Sequence, residues 1–312
     1  MSLKFDPDHP LYTIDEKAWK IEQLAAVLDQ LVEHGKPVVI FVHGRGKEPR
    51  KSLQGAHWVR GLAVPKIELG YNTSVLMFNW DSAFPFLQFT DRELPLSKTE
   101  AGAESFCTFL NALKNYQSSH PTFKPTLVAH SMGSIVVQKA VSSKNWPQGG
   151  TALFRQVLLT EPDADDVGHA AWLDKLGKLE KVYVTWNNDD KVLLKSTHQR
   201  PPGSHALGLG TAEKLSQSVK YVDLSRMGAI GSVQDDDHEV FGKGAMNGQI
   251  FVCRFFTQAI RGEEVVLDPI ANIEAIDRKV VYKLKSKFEP DAPCLKQPIL
   301  PTKYLNAPTS DH

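Results

Sequence analysis

The stretch PTLVAHSMGS, residues 125–134, places a serine between two apolar segments of different periodicity. The segment Leu127–Ala129 is continuously apolar like a buried strand, whereas GSIVVQKAV, after the serine, repeats apolar residues at helical intervals. Ser131 therefore falls where a strand turns into a helix. A serine at such a junction either caps the helix or acts as a nucleophile, and the rest of the chain has to distinguish the two.

The order of segments around this junction predicts an α/β fold with a doubly wound, mostly parallel sheet and helices on both faces. Runs such as VVIFV and VYVTW alternate with amphipathic stretches, as is typical of parallel strands joined by crossover helices. We expect an N-terminal helical extension over residues 1–36, an α/β domain over 37–262, and a partly proline-rich C-terminal extension over 263–312. In the last extension, RKVVYKLKSK is a candidate for an added strand.

Two helices have predicted limits that a structure can test. The apolar pattern over residues 14–34 predicts one helix that stops at Gly35. Its expected apolar face comprises Trp19, Leu24, Ala25, Leu28 and Leu31. A later amphipathic helix carries a capping signal at Ser97–Glu100, which predicts its start.

Charge and composition argue against several classes of protein. Lys+Arg and Asp+Glu are balanced at 36 each, so no net field attracts nucleic acid or an anionic membrane. The apolar runs are too short to span a bilayer, and the N-terminus lacks the apolar region of a secretory signal. Cys107, Cys253 and Cys294 have no metal-ligand spacing and are expected to be free thiols. We therefore expect a cytoplasmic protein without a cofactor or metal.

The residues around the serine fit a known nucleophile motif. Ala129-His130-Ser131-Met132-Gly133 matches the pattern small-x-Ser-x-Gly, in which the serine occupies a tight strand-to-helix turn. The residues two positions either side are small because the strand and the helix pass close together. The amides at the start of the helix favour negative charge at this point. The motif and its position predict Ser131 as a nucleophile.

A serine nucleophile needs a base, and the base needs an acid that orients it. In α/β hydrolases the chain order is serine, acid, histidine. Asp190 is the favoured acid because it ends the strand segment KVYVTWNNDD and precedes the helix-like KVLLKS, with Asp189 as a close rival. A second group of candidates follows the strand after the serine helix: Asp163, Asp165 and Asp166.

The favoured base is His238. It lies in DDDHEVF, after the strand segment VKYVDLS and before the last apolar helix, which is where this chain order places a histidine. His43 and His130 adjoin the turns of the predicted site, and we expect them to support the site rather than act as the base.

The oxyanion of an acyl-transfer intermediate needs preorganised N–H donors. The Met132 amide directly follows the nucleophile and is the first expected donor. The second is the Arg45 amide in the turn of FVHGRG, where Gly44 allows the backbone to approach the substrate.

A series of segments between about residues 37 and 242 has the order and spacing of a known family. They are VIFVHGRG, VLMFNWDS, DRELPLSKTEAGAESF, LVAHSMGS, VLLTEPDAD, VYVTWNNDDKVL and DHEVF. In these segments the chain resembles the α/β-hydrolase superfamily, and more narrowly a bacterial family of such hydrolases catalogued as a domain of unknown function. The resemblance implies a triad of Ser131, Asp190 and His238, and implies that EPDADD is typical of the family without supplying the acid. After the first strand, the basic GRGKEPRKS stands where the family usually has an aromatic, asparagine-containing segment. Beside the histidine, Glu239-Val240 stands where small and aromatic residues are common.

The leading functional hypothesis is a serine hydrolase that cleaves a small-molecule ester through an acyl-enzyme on Ser131. The apolar segment WDSAFPFLQF either forms an acyl pocket or packs as a loop against the core, through Phe84, Phe86, Leu87 and Phe89. The alternative is a non-catalytic binding or scaffolding protein that retains the fold. The C-terminal extension is a candidate for contacts between copies of the chain in a homo-oligomer.

Overall fold

The strands of the described chain join into a single sheet. The computed structural model describes residues 8–13, 18–45, 67–68, 70–82, 92–147, 152–225, 238, 240, 249–276, 279–285 and 287. The strands are β1 (Leu11–Tyr12), β2 (Ala18–Trp19), β3 (Val38–Val42), β4 (Ser74–Phe78), β5 (Thr126–His130), β6 (Gln156–Thr160), β7 (Val182–Trp186), β8 (Lys220–Asp223), β9 (Ala271–Ile276) and β10 (Lys279–Leu284). Their order across the sheet is β2-β1-β4-β3-β5-β6-β7-β8-β10-β9.

The sheet is parallel from β4 to β10 and antiparallel at its two edges. Strands β4, β3, β5, β6, β7, β8 and β10 pair in parallel with their neighbours, whereas β1, β2 and β9 add antiparallel pairs. Every residue of β3 to β7 is buried. Burial on both faces explains why these strands are continuous apolar runs in the sequence. The predicted mostly parallel α/β sheet is confirmed.

Helices cover both faces of this sheet. They are α1 (Leu24–Glu33), α2 (Glu93–Ser119), α3 (Gly133–Ser142), α4 (His169–Gly177), α5 (Lys191–Thr197) and α6 (Ile250–Ile260). On one face, a core cluster joins the sheet to α1, α2, α3 and α4, and it includes Leu28, Phe106 and Trp172. On the other face, α6 contributes Phe255 and Ile260 to a second cluster. Helices α2, α3 and α4 thus follow one another on the first face and α6 lies on the second, so the sheet is covered on both sides.

Two predicted helix starts were wrong. Helix α1 begins at Leu24 rather than near residue 14, because Trp19 lies in β2 instead. Ala25, which was expected on the apolar face of this helix, is exposed. Gly35 ends this helix as predicted, with a left-handed φ of 66°. Helix α2 begins at Glu93, so Ser97 lies inside it and donates to the Leu94 carbonyl at 2.7 Å instead of capping the helix.

The chain after residue 262 contributes to the same sheet. The segment RKVVYKLKSK contains β10, which pairs in parallel with β8 and antiparallel with β9. Cys107 is a buried free thiol, but Cys253 is disulfide-bonded, so the expectation that all three cysteines are free was wrong. Because disulfides persist mainly in oxidising compartments, the cysteines no longer support a cytoplasmic location. No helix of the described residues has the length and apolar character needed to cross a membrane.

The carboxylate of Glu180, before β7, is buried and predicts a pH-dependent stability. It accepts the amides of Leu153 at 2.8 Å and Phe154 at 3.3 Å. Burial raises the pKa of Glu180 to about 7, against those hydrogen bonds and the charge of Lys124. The pKa of Glu180 is higher in the folded protein than in the unfolded chain. The free energy of unfolding therefore falls as the pH rises from the unfolded pKa to the folded pKa. We expect the free energy of unfolding to fall by roughly 2–3 kcal/mol between pH 5 and pH 8 through this group.

Urea denaturation at the two pH values would check this prediction. Glu180→Gln should lose less stability than the natural protein over the same interval, because the glutamine cannot ionise. Glu104→Gln, at an exposed position of α2, is the matched control and should retain the full pH dependence. An equal pH dependence in Glu180→Gln and the natural protein would contradict the prediction.

Candidate active site

Ser131 occupies a strained turn between β5 and α3. Its φ is 53°, in the left-handed region that non-glycine residues rarely adopt. The turn is held from both sides, because the Ser131 amide donates to the Thr160 carbonyl at 3.1 Å, and the Ser131 carbonyl accepts the Asp163 amide at 3.1 Å. The Ser134 hydroxyl donates to the same carbonyl at 2.7 Å. The serine therefore sits in the conformation that the nucleophile motif requires.

Two glycines let the turn after β3 pass against the serine turn. A Cβ on Gly133 would lie 2.5 Å from the Val42 carbonyl oxygen and 2.7 Å from that of His43. A Cβ on Gly44 would lie 2.8 Å from the Ser131 Cβ. All three distances are shorter than a Cβ atom tolerates, so this close approach requires glycine at both positions.

His238 connects Ser131 to Asp190. Its Nε2 lies 2.9 Å from Ser131 Oγ, and its Nδ1 lies 2.6 Å from Asp190 Oδ2. Asp190 is fully buried and is the N-cap of α5, where Oδ1 accepts the amides of Val192 and Leu193, each at 2.9 Å. One carboxylate oxygen thus fixes the side chain while the other faces the imidazole. The three residues favoured from the sequence are in hydrogen-bonding contact.

The rival carboxylates make other contacts. Asp189 is exposed, while Asp166 accepts the His205 amide at 2.8 Å. Asp163 Oδ1 lies 2.6 Å from an Arg200 nitrogen, and Asp163 Oδ2 lies 3.4 Å from Arg92 Nε. Burial alone would raise the pKa of Asp163, but the charges of Arg200 and then Arg92, with hydrogen bonds, hold it below its usual value. Asp165 also pairs with Arg200.

This buried ion-pair cluster predicts a stability effect rather than a role as the triad acid. Asp163→Asn would remove the buried partner of Arg92 and Arg200, which are themselves buried, and leave them the half-exposed Asp165. We expect the free energy of unfolding to fall by about 3–5 kcal/mol, the cost of breaking a buried pair from one side. Because the folded pKa of Asp163 is depressed, this contribution is present above its unfolded value, roughly pH 4, and is lost at lower pH.

Chemical denaturation at pH 7 would measure this loss. Asp189→Asn provides the matched control, because it removes a carboxylate of the same type from an exposed position and should change stability little. If the two variants unfolded at the same denaturant concentration, the ion-pair cluster would contribute nothing net.

His43 and His130 support the site from two sides. His43 Nδ1 lies 2.7 Å from the Gly44 carbonyl oxygen, and Nε2 lies 2.8 Å from Asn79 Oδ1. The Trp80 indole N–H donates to the His43 carbonyl at 2.8 Å, so the turn after β3 is anchored to the end of β4. His130 packs its ring against that of His238, with 4.7 Å between the ring centroids.

The residues expected to supply the oxyanion donors belong to segments that border Ser131. The Met132 amide comes directly after Ser131, and no described residue accepts a hydrogen bond from it. Arg45 follows Gly44, where a Cβ would lie 3.3 Å from Ser131 Oγ, so this turn borders the serine hydroxyl. The described residues contain no group of three or more His, Cys, Asp or Glu side chains suited to hold a metal ion.

One predicted feature stays untested, and sequence reasoning missed two residues near the site. The apolar residues Phe84, Phe86, Leu87 and Phe89 lie outside the described residues. Sequence reasoning did not find Glu161, a fully buried glutamate after β6, or Asn79, which contacts His43. The signal for Glu161 was present as a charged residue directly after an apolar strand run.

A family model identifies the family to which this chain belongs. Residues 20–239 match the family model described as alpha/beta hydrolase of unknown function (DUF900). The chain belongs to this family. As a DUF900 protein it has the α/β-hydrolase fold, consistent with the parallel sheet and the serine turn. No curated protein has a matching sequence.

Three solved structures are similar to parts of this chain at low identity. A predicted CIB-like hydrolase from Thermoplasma acidophilum is 13% identical, with 66% of this chain and 79% of that chain covered and a TM-score of 0.34. An uncharacterized protein from Bacillus cereus is also 13% identical, with 65% and 61% covered and a TM-score of 0.36. The lipase BlEst2 from Bacillus licheniformis is 11% identical, with 60% and 84% covered and a TM-score of 0.32.

Proposed function

We propose that this DUF900 protein is a serine hydrolase that cleaves carboxylic esters through an acyl-enzyme on Ser131. The observation that carries the proposal is the position of His238, whose two ring nitrogens contact Ser131 Oγ at 2.9 Å and Asp190 Oδ2 at 2.6 Å. An imidazole that contacts a serine hydroxyl on one side and a carboxylate on the other is the arrangement that activates a serine.

Acylation begins with proton transfer from Ser131 to His238. With the Nδ1 proton donated to Asp190, the Nε2 lone pair faces Ser131 Oγ and accepts its proton as Oγ bonds to the ester carbonyl carbon. The carbonyl oxygen takes the electron pair of the broken π bond. When the tetrahedral intermediate collapses, the alkoxide leaves and takes the proton from Nε2, and the acyl group stays on Ser131.

Deacylation repeats these steps with water. A water molecule gives a proton to His238 Nε2 as its oxygen attacks the acyl carbon, and collapse returns that proton to Ser131 Oγ with release of the acid. Asp190 stabilises the imidazolium in both halves of the reaction. Its burial and the two α5 amides on Oδ1 keep Oδ2 aimed at Nδ1.

The negative oxygen of each intermediate is stabilised by backbone donors at the start of α3 and in the turn after β3. We assign the Met132 amide and the Arg45 amide to this role. The start of α3 adds the positive end of its dipole to the same point. Gly133 and Gly44 contribute by allowing the two donor segments to meet beside Ser131.

The proposed substrate is a small-molecule ester with a modest apolar acyl chain. This part of the proposal rests on the sequence of the segment that contains Phe84, Phe86 and Leu87. An ester panel that varies acyl length at a constant leaving group would measure the preference. An apolar acyl pocket predicts that kcat/KM rises with chain length up to a limit.

Labelling with a fluorophosphonate probe tests the proposed nucleophile directly. The natural protein should form a covalent adduct, and Ser131→Ala should not, because the probe reacts with an activated serine. Ser142→Ala is the matched control, since Ser142 lies on an exposed face of α3 and should leave labelling unchanged. No adduct on the folded natural protein would favour the alternative of a non-catalytic binding protein.

A further inference from the structure

A second carboxylate and imidazole lie directly behind His238. His130 ends β5 and Glu161 follows β6, and both side chains are buried. His130 Nδ1 lies 3.1 Å from Thr160 Oγ1 and 3.6 Å from Glu161 Oε2. The rings of His130 and His238 pack at 4.7 Å between centroids, with 49° between their planes. The Glu161 carboxylate is therefore separated from the proposed base by a single imidazole.

The backbone holds Glu161 in this place against its own preference. Its φ of 41° lies in the left-handed region, and its amide donates to Thr185 Oγ1 at 3.1 Å. Burying a carboxylate costs free energy, and so does a left-handed conformation at a non-glycine residue. Packing alone would be served by an apolar side chain or a glycine. The two costs together indicate that the negative charge of Glu161 serves a function at this position.

The charged and titratable groups around this pair are few. Asp190 faces His238 from the start of α5, and His130 stands between His238 and Glu161. Burial, and secondarily the Glu161 charge, raise the pKa of Tyr71, which stays neutral. The acidic neighbours of His238 in the sequence, Asp235 to Asp237 and Glu239, lie outside the described residues. Glu161 and Asp190 are thus the described carboxylates that act on His238 from within the protein.

We propose that Glu161 is a positioning residue that acts through His130 to orient His238 and to stabilise the imidazolium that forms on it. The role of His238 as the base rests on the proposed function. Thr160 Oγ1 lies within hydrogen-bonding distance of His130 Nδ1 and the Glu161 carboxylate lies 3.6 Å from it, so both residues fix the ring that packs on His238. The negative charge behind that ring favours the cationic form of His238, in the same direction as Asp190.

Titration of the His238 ring by NMR tests this electrostatic contribution without requiring turnover. Glu161→Gln keeps the side-chain shape and removes the charge, so the titration midpoint should fall by about half to one pH unit. The acid limb of kcat/KM should move by the same amount, and kcat should fall roughly three- to tenfold. His130→Gln keeps both an N–H donor and the Glu161 charge, so it should lower the rate but leave the midpoint in place.

Asp189→Asn is the control, because it removes an exposed carboxylate beside the site and should leave the midpoint unchanged. An unchanged midpoint in folded Glu161→Gln would overturn the inference, whatever the turnover. If Glu161→Gln does not fold, His130→Gln decides: a lower kcat at an unchanged midpoint supports the inference, whereas an unchanged kcat or a raised midpoint overturns it. Ser131-dependent hydrolysis by the natural protein tests the proposed function separately.

Discussion

Ser131→Ala should abolish ester hydrolysis, with a loss in kcat of about 10⁴-fold or more, while the protein stays folded. In the proposed mechanism the Ser131 hydroxyl oxygen becomes acylated, and neither His238 nor the backbone donors can replace it, so the expected loss is large. The fold should persist because the turn is held by backbone contacts, to the Thr160 carbonyl and from the Asp163 amide, which alanine retains.

Steady-state hydrolysis of a chromogenic ester and a thermal denaturation curve would measure both halves of this prediction. Alanine at a φ of 53° keeps a strained conformation similar to that of serine, so the melting temperature should change by only a few degrees. Ser142→Ala, on an exposed face of α3, should retain full activity. Substantial turnover by folded Ser131→Ala would place the nucleophile elsewhere.

The central strands and the serine turn were predictable because local sequence and long-range packing impose the same requirement there. β3 to β7 are buried on both faces, and a strand in that environment is apolar along most of its length. The turn at Ser131 is equally constrained, since a side chain at Gly133 would collide with the Val42 and His43 carbonyls. A short motif could therefore identify the turn.

The predicted starts of α1 and α2 were wrong because these starts depend on interactions that the apolar periodicity of the sequence does not show. Trp19 fits a helical face, but it pairs with Leu11 across β1 and β2. Helix α2 starts before its capping signal because Pro95 falls in the first turn, where a missing N–H costs nothing. Neither the strand pairing nor the tolerated proline changes the apolar periodicity.

The pair of Glu161 and His130 was also beyond sequence reasoning. The two residues come from the ends of neighbouring parallel strands, and only the register of β5 with β6 brings them together. In the sequence, Glu161 begins the acidic run EPDADD and does not stand out from the aspartates that follow it. Those aspartates separate in space, since Asp163 pairs with Arg92 and Arg200 whereas Asp166 binds the His205 amide.

The sequence does not decide which of two adjacent aspartates, Asp189 or Asp190, contacts His238. Both residues precede a helix-like segment, and either could end the strand or cap the helix. The structure makes Asp190 the N-cap of α5 and buries it, whereas Asp189 is exposed. A shift of one position takes the aspartate side chain from the protein interior to its surface, and the residue types alone do not show which aspartate is buried.

Asp190→Asn should therefore lower kcat by about 10³- to 10⁴-fold, whereas Asp189→Asn should have little effect. Asparagine can still accept the Val192 and Leu193 amides through its oxygen, so α5 keeps its cap. Its NH₂ group would then face His238 Nδ1 and favour the tautomer with the proton on Nε2. That proton would point at Ser131 Oγ, 2.9 Å away, and the ring could no longer accept the hydroxyl proton.

Parallel measurement of kcat and of urea stability in the two variants separates this electronic effect from a structural one. A loss of activity with stability near that of the natural protein is the expected result for Asp190→Asn, since both cap hydrogen bonds survive. Fluorophosphonate labelling should slow in the same proportion, because it depends on the same activation of Ser131. Comparable activity in Asp190→Asn and Asp189→Asn would mean that His238 is oriented by another group, and Glu161, one imidazole away, would be the next carboxylate to replace.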